Sequence, residues 1–160
     1  MTKPRTKRVR IVGHGDTLDA KEEIQALLRE IVILRDGGCI LRDEVLQARY
    51  GLPGCSGSRK DGTLIHQADH LESRGHAATY ADSRLVVCVC KAHHGWKSVG
   101  ENLRKEQYDA IVRTLLSPDR VALWDRCKAM NQGPTRGHTM YWKLELAALK
   151  QELRALQAKQ

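Results

Sequence analysis

The chain has no phenylalanine, and aromatic residues make up only 4% of its 160 positions. A core must therefore be filled by Leu, Ile, Val and Ala, and a small inner module built that way needs an extra staple. No apolar run approaches the roughly twenty residues that span a bilayer. The N-terminus has no secretory apolar segment either, so the expectation is an intracellular, cytoplasmic protein with no membrane partner. In a reducing compartment the five cysteines are better explained as metal ligands or core residues than as disulfides. The sequence has no internal repeat and no low-complexity tract.

Positive charge, by contrast, is plentiful. Lys and Arg number 27 against 19 Asp and Glu, for a formal charge of +8 and a pI near 9.4. That excess favours a polyanionic partner, most simply nucleic acid, over a basic protein whose charge serves only solubility. Lys3, Arg5, Lys7, Arg8 and Arg10 stand in a stretch with no acid, so residues 1–15 read as a basic arm able to lie along phosphates.

Helical periodicity follows. Ile24, Leu27, Leu28, Ile31 and Leu34 give one apolar face over about 19–35, with Asp19 and Glu22 as a capping-box start and Gly37-Gly38 as the stop. A short helix is expected over 43–50. Two strands are expected at 63–71 and 84–90, joined by the 72–82 loop. The chain then turns helical after His94, with further helices over about 102–116 and from Ser117-Pro118 onward, where Ser caps and Pro takes the first turn. After a Gly/Pro linker at 131–137, a last helix over 139–158 sets Trp142, Leu146, Leu149, Leu153 and Leu156 in a coiled-coil-like seam. Two heptads suit packing on the protein's own helices better than an independent coil, although the same seam could join a homodimer.

The chemistry-bearing residues concentrate between Cys39 and Lys97. Structural zinc takes four Cys or His ligands in a tetrahedron. Cys90-Lys-Ala-His93 has ligand spacing, and Cys39 and Cys55 sit beside glycines that let the backbone fold sharply. A zinc site of three cysteines and one histidine, from Cys39, Cys55, Cys90 and His93, is therefore expected. Cys88 rivals Cys90, because alternate residues of a strand share a face. Cys127 reads as a core thiol, and the competing view makes all five cysteines buried and free. Asp69 suits Mg2+ or Mn2+ as an oxygen ligand, His94 would complete the protein ligands, and His70 suits a general base that takes a proton from water. Asp69 and His70 are strand neighbours, so a twist or bulge must bring them to one cleft. His66 reads as structural. Arg74 and Lys97 flank the expected cleft and could hold phosphates, or else are ordinary solvated charges.

Asp69-His70, a hairpin loop, an apolar strand and Cys90-x-x-His93-His94-x-x-Lys97 together resemble the HNH endonucleases of the ββα-metal fold. The resemblance implies that His70 is the base, that Asp69 and His94 hold the catalytic metal, and that Cys39, Cys55, Cys90 and His93 match the family's zinc-bearing cysteines, with His93 in place of the fourth Cys. The family's middle Asn has no counterpart; Asp82, Ser83 and Arg84 occupy that region. The helical tail with Trp142-Lys-Leu-Glu-Leu looks like that of phage recombination nucleases of the NinG type. The expected fold is therefore α+β: a basic arm (1–15), a zinc-bearing ββα module with its leading helix (16–100), and a helical extension packed on it (101–160). The expected function is one-metal DNA hydrolysis. The alternative is a zinc-stabilised DNA-binding protein that does not cut.

Overall fold

The computed structural model describes residues 14–72, 77–99, 102–130 and 139–160. Arg5, Arg8 and Arg74, expected to meet phosphates, lie outside these residues, as does the 131–137 linker. The chain is α+β. Its order is α1 (His14–Asp36), α2 (Glu44–Tyr50), β1 (His66–His70), α3 (Ala77–Tyr80), a 3-10 turn (Ser83–Leu85), β2 (Val86–Cys90), α4 (Lys91–Ser98), α5 (Asn102–Leu115), α6 (Pro118–Met130) and α7 (Thr139–Gln157). Among the described residues no helix is long and apolar enough to cross a membrane.

The organising element is β2. Val86-Val87-Cys88-Val89-Cys90 has no polar side chain at any position, as a strand covered on both faces requires, and all five residues are buried. It pairs antiparallel with β1 in unbroken register, from His66 opposite Cys90 to His70 opposite Val86. Val86 and Cys88 face α1 and α7, where Ile24, Leu28, Ile31, Trp142 and Leu149 form one core. Val87 and Val89 face the other way, into a second core with Tyr108, Ile111 and Val112 of α5 and Trp124 of α6. The two-stranded ribbon thus lies between two helical layers.

The edge of β2 away from β1 is closed by other groups. The Cys88 amide donates to Asp36 Oδ2 at 2.9 Å, and the Ile40 amide donates to the Cys88 carbonyl at 2.9 Å. Arg35 and Arg120 both donate to the Val86 carbonyl, at 2.7 and 3.0 Å. A short edge strand is thereby satisfied without a third strand. Burial, followed by the neighbouring Arg35 charge, lowers Arg120 to about 10.

Four boundaries differ from the sequence expectation. Helix α4 starts at Lys91, directly after its N-cap residue Cys90, and not after His94. Helix α1 starts at His14, ahead of the Asp19 capping signal. Such a signal is worth about 1 kcal/mol, too little to end a helix whose backbone bonding can continue. Strand β1 is limited to His66–His70, with an isolated bridge between Ser58 and Leu64 before it. Residues 83–85 form a 3-10 turn because the Asp82 carboxylate accepts from the Arg84 amide and caps it. The C-terminal seam packs on α1, with Lys21 extending over the Trp142 ring at 4.8 Å.

Candidate metal centre

Cys39 follows two glycines with positive φ, Gly37 at 64° and Gly38 at 110°, a reversal that a side chain would strain. The turn carries the thiol from the end of α1 back under α4. Cys55 stands in the 51–57 loop, whose Gly57 has φ 96°. A Cβ on Gly57 would come within 2.6 Å of Lys91 Cβ, so only glycine lets this loop lie against the first turn of α4. The Ile65 amide donates to the Gly57 carbonyl at 2.9 Å and fixes the loop.

Cys90 is the last residue of β2 and the N-cap of α4, and His93 lies in the first helical turn. Three residues apart on a helix start, their side chains meet. Cys88 remains in the α1–α7 core, whereas Cys90 belongs to the opposite one. Residues 88 and 90 are alternate positions of one unbroken ladder, yet Cys90 and not Cys88 belongs to the ligand cluster. Burial, with the nearby Asp36 charge, pushes the Cys88 thiol up to about 12.

Around His93 Nδ1, the Cys90, Cys39 and Cys55 sulfurs lie at 3.1, 3.3 and 3.8 Å. All four ligand atoms are within 4.8 Å of one another. A tetrahedral ion bonded at about 2.3 Å to sulfur and 2.0–2.1 Å to nitrogen has S–N edges of about 3.6 Å, so the donor set fits. Cys39, Cys55, Cys90 and His93 form a cluster that could hold a metal ion. Burial lowers His93, which favours the neutral, ligating ring. Its Nε2 is buried without a hydrogen bond of good geometry, although the nearby Pro53 carbonyl pulls the other way and raises the ring. At Cys90 burial raises the thiol. The His93 and Ser56 backbone groups and the Cys55 and Cys39 side chains outweigh it and hold the thiol below its ordinary range. Cys39 and Cys55 are raised, in both cases chiefly by burial.

One residue further along α4 lies a second constellation. His94 Nε2 is 3.6 Å from Asp69 Oδ1, with the Asp69 side chain 4% exposed and that of His94 35%. A hard cation at about 2.1 Å from each atom fits between them with a wide ligand–metal–ligand angle. Lys97, expected beside phosphates, has its ammonium on Asp69, at 2.9 Å from both oxygens. Tyr108 of α5 donates its hydroxyl to Asp69 Oδ2 at 2.5 Å. Burial raises Tyr108 well above its ordinary value, and the Asp69 charge adds to the shift.

His70 leaves β1 on the opposite face from Asp69, and the unbroken ladder contains no bulge to change that. Its Nε2 is 3.0 Å from the Tyr80 carbonyl, and its ring is 6.0 Å from the Tyr80 ring. The residues where the HNH resemblance implies an Asn are engaged elsewhere. Asp82 pairs with Arg84 at 2.7 Å, and the Ser83 hydroxyl donates to Glu152. The Tyr80 carbonyl supplies the contact that fixes the His70 ring. Sequence reasoning misses both Tyr108 and Tyr80. Tyr108 reads only as part of an apolar helical face, since nothing local marks its hydroxyl as a partner of Asp69. The Tyr80 contact is made by the backbone, which the side-chain sequence does not encode directly.

The chain matches no protein-family model, no curated protein and no solved structure.

Proposed function

We propose that this protein is a metal-dependent endonuclease of the HNH type, anchored by a structural zinc and acting on DNA. The observation that carries the proposal is the division of labour between adjacent histidines. His93 turns into the sulfur cluster, with Cys90 Sγ 3.1 Å from its Nδ1, and His94 turns to Asp69 at 3.6 Å. A thiolate-rich set suits zinc, and a carboxylate with an imidazole suits an exchangeable Mg2+ or Mn2+. The order β1, β2, α4 then carries base, anchor and second ligand in the sequence that the HNH resemblance implies. The positive charge of the chain supplies affinity for the phosphate backbone.

In this mechanism Asp69 and His94 are the residues that would hold a divalent cation. When bound, a divalent cation there supplies positive charge for the transition state and for the departing 3′ oxygen. Lys97 and Tyr108 fix the Asp69 carboxylate, so it enters the reaction already oriented. His70 donates from Nε2 to the Tyr80 carbonyl. With its ring held there, His70 is the base that takes a proton from the attacking water.

A second function is favoured by one observation: Asp69 and His70 leave β1 on opposite faces. A protein that binds DNA on the same scaffold without cutting needs no base beside the cation. The two are separated by incubating supercoiled plasmid with the protein and Mg2+ or Mn2+. A nuclease nicks the plasmid, and His70→Ala slows nicking by about 10²–10⁴-fold. Plasmid that stays intact while still bound assigns the non-catalytic function.

A further inference from the structure

Beside His94, between α1, β1 and α4, lies a cleft of about 260 Å³ lined by Gln25, Arg29, Gln67, Ala68 and His94. Gln25 and Arg29 are four residues apart on α1 and so share a helix face. Arg29 is half-buried, and among the described residues no hydrogen bond or ion pair of its guanidinium is found. A guanidinium held in a cleft without an anion is a binding group with unused capacity. Two further groups in the cleft share this property. Gln25 Nε2 and Gln67 Oε1 are both buried without a hydrogen-bond partner, and buried polar groups in folded proteins are rarely left so.

The cleft continues the candidate cation site. His94 belongs to both, lining the cleft and lying 3.6 Å from Asp69. Gln67 and Asp69 are alternate residues of β1, on one strand face and about 6.6 Å apart along it. A nucleic-acid strand whose scissile phosphate sits at Asp69 and His94 would bring a neighbouring phosphate to Gln67 and Arg29.

We propose that this cleft is a subsite for a backbone phosphate of the nucleic-acid substrate, with Arg29 as its anion-binding group and Gln25 as a second donor. It rests on the hydrolytic site described above and extends that site by one phosphate. Arg29 reaches the phosphate oxygens through its forked N–H groups, and Gln25 Nε2 donates to a further oxygen. The Gln67 carboxamide, turned by half a rotation, offers its NH2 to the same group. The contact is to the backbone, so it adds affinity and register without base preference.

The test uses the full chain with its zinc, titrated onto fluorescein-labelled single-stranded and duplex DNA without added Mg2+ or Mn2+, with anisotropy followed across salt concentrations. Arg29→Gln is expected to bind about tenfold more weakly and to lose about 0.7–0.9 from the slope of log affinity against log salt, one phosphate contact's worth. Gln67→Glu places a carboxylate in the cleft to occupy Arg29 internally, and is expected to weaken binding at least as much. Removing the same charge at exposed Lys159 by Lys159→Gln leaves the slope as in the wild type. Equal affinity and slope for wild type, Arg29→Gln and Gln67→Glu, with unchanged melting and zinc content, overturn the subsite. Should Arg29→Gln fail to fold, Gln67→Glu decides alone. Cleavage separates this from the nuclease assignment. If the wild type never cuts but Arg29→Gln still loses slope, catalysis fails and the subsite stands. If the wild type cuts and Arg29→Gln cuts with unchanged KM, the subsite fails and catalysis stands.

Discussion

At the scale of single residues, the chemistry depends on which way neighbouring side chains turn. His93 and His94 are adjacent, and the helical rotation between them sends one ring to three sulfurs and the other to a carboxylate. The first ring is replaceable in kind. His93→Cys completes a set of four thiolates, so the purified variant should retain about one zinc per chain, whereas His93→Ala should not; elemental analysis of the two checks this. Burial holds His93 below its ordinary 6.5. The folded state therefore prefers the neutral ring, and the stability this contributes is present above about pH 6.5 and is lost as the pH falls through the lower folded value. Thiolate protonation acts in the same direction. Zinc release to a chromogenic chelator should accordingly rise as the pH falls below about 6.5; release that is flat down to about pH 4 would contradict the assignment. The ligand residues were legible in the sequence because Cys-x-x-His spacing and flanking glycines are local signals. Tyr108 was not, because its partner Asp69 lies in a different element.

At the scale of elements, two close approaches hold the site together. The 51–57 loop reaches α4 only because Gly57 lacks a Cβ. Gly57→Ala combines a forbidden φ with a 2.6 Å contact and should cost about 1–3 kcal/mol in urea denaturation, with a loss of zinc affinity. The second approach is α7 on α1. Leu28 is fully buried in that core, and Leu28→Ala should cost about 2–5 kcal/mol while leaving the zinc stoichiometry near one. Apolar periodicity marked these helices in the sequence, and the continuous apolar run marked β2. Their ends were less legible. The Asp19 signal was overridden by helix continuation, and the 3-10 turn at Ser83–Leu85 depends on the Asp82 cap rather than on a strand pattern.

At the scale of the whole molecule, scarcity of aromatics is met by two separate aliphatic cores on either face of a two-stranded ribbon. The buried aromatic residues each have a polar or charged partner. Trp124 donates its indole N–H to Glu72 at 2.8 Å, Trp142 lies under Lys21, and Tyr108 ties α5 to Asp69. The ribbon is too small to stand alone, and α1, α5, α6 and α7 supply its missing layers. The sulfur cluster pins the 39–55 segment to the start of α4, and so sets the position of His94. The central claim is that two adjacent histidines serve two different ions, one resident and one exchangeable. The measurement that tests it most directly is metal analysis combined with Mn2+ titration followed by electron paramagnetic resonance. The wild type should carry one zinc that survives dialysis and bind one further Mn2+ reversibly, and His94→Ala should lose the Mn2+ alone. Loss of both metals in His94→Ala, or a wild type that binds no Mn2+ beside its zinc, would contradict the claim.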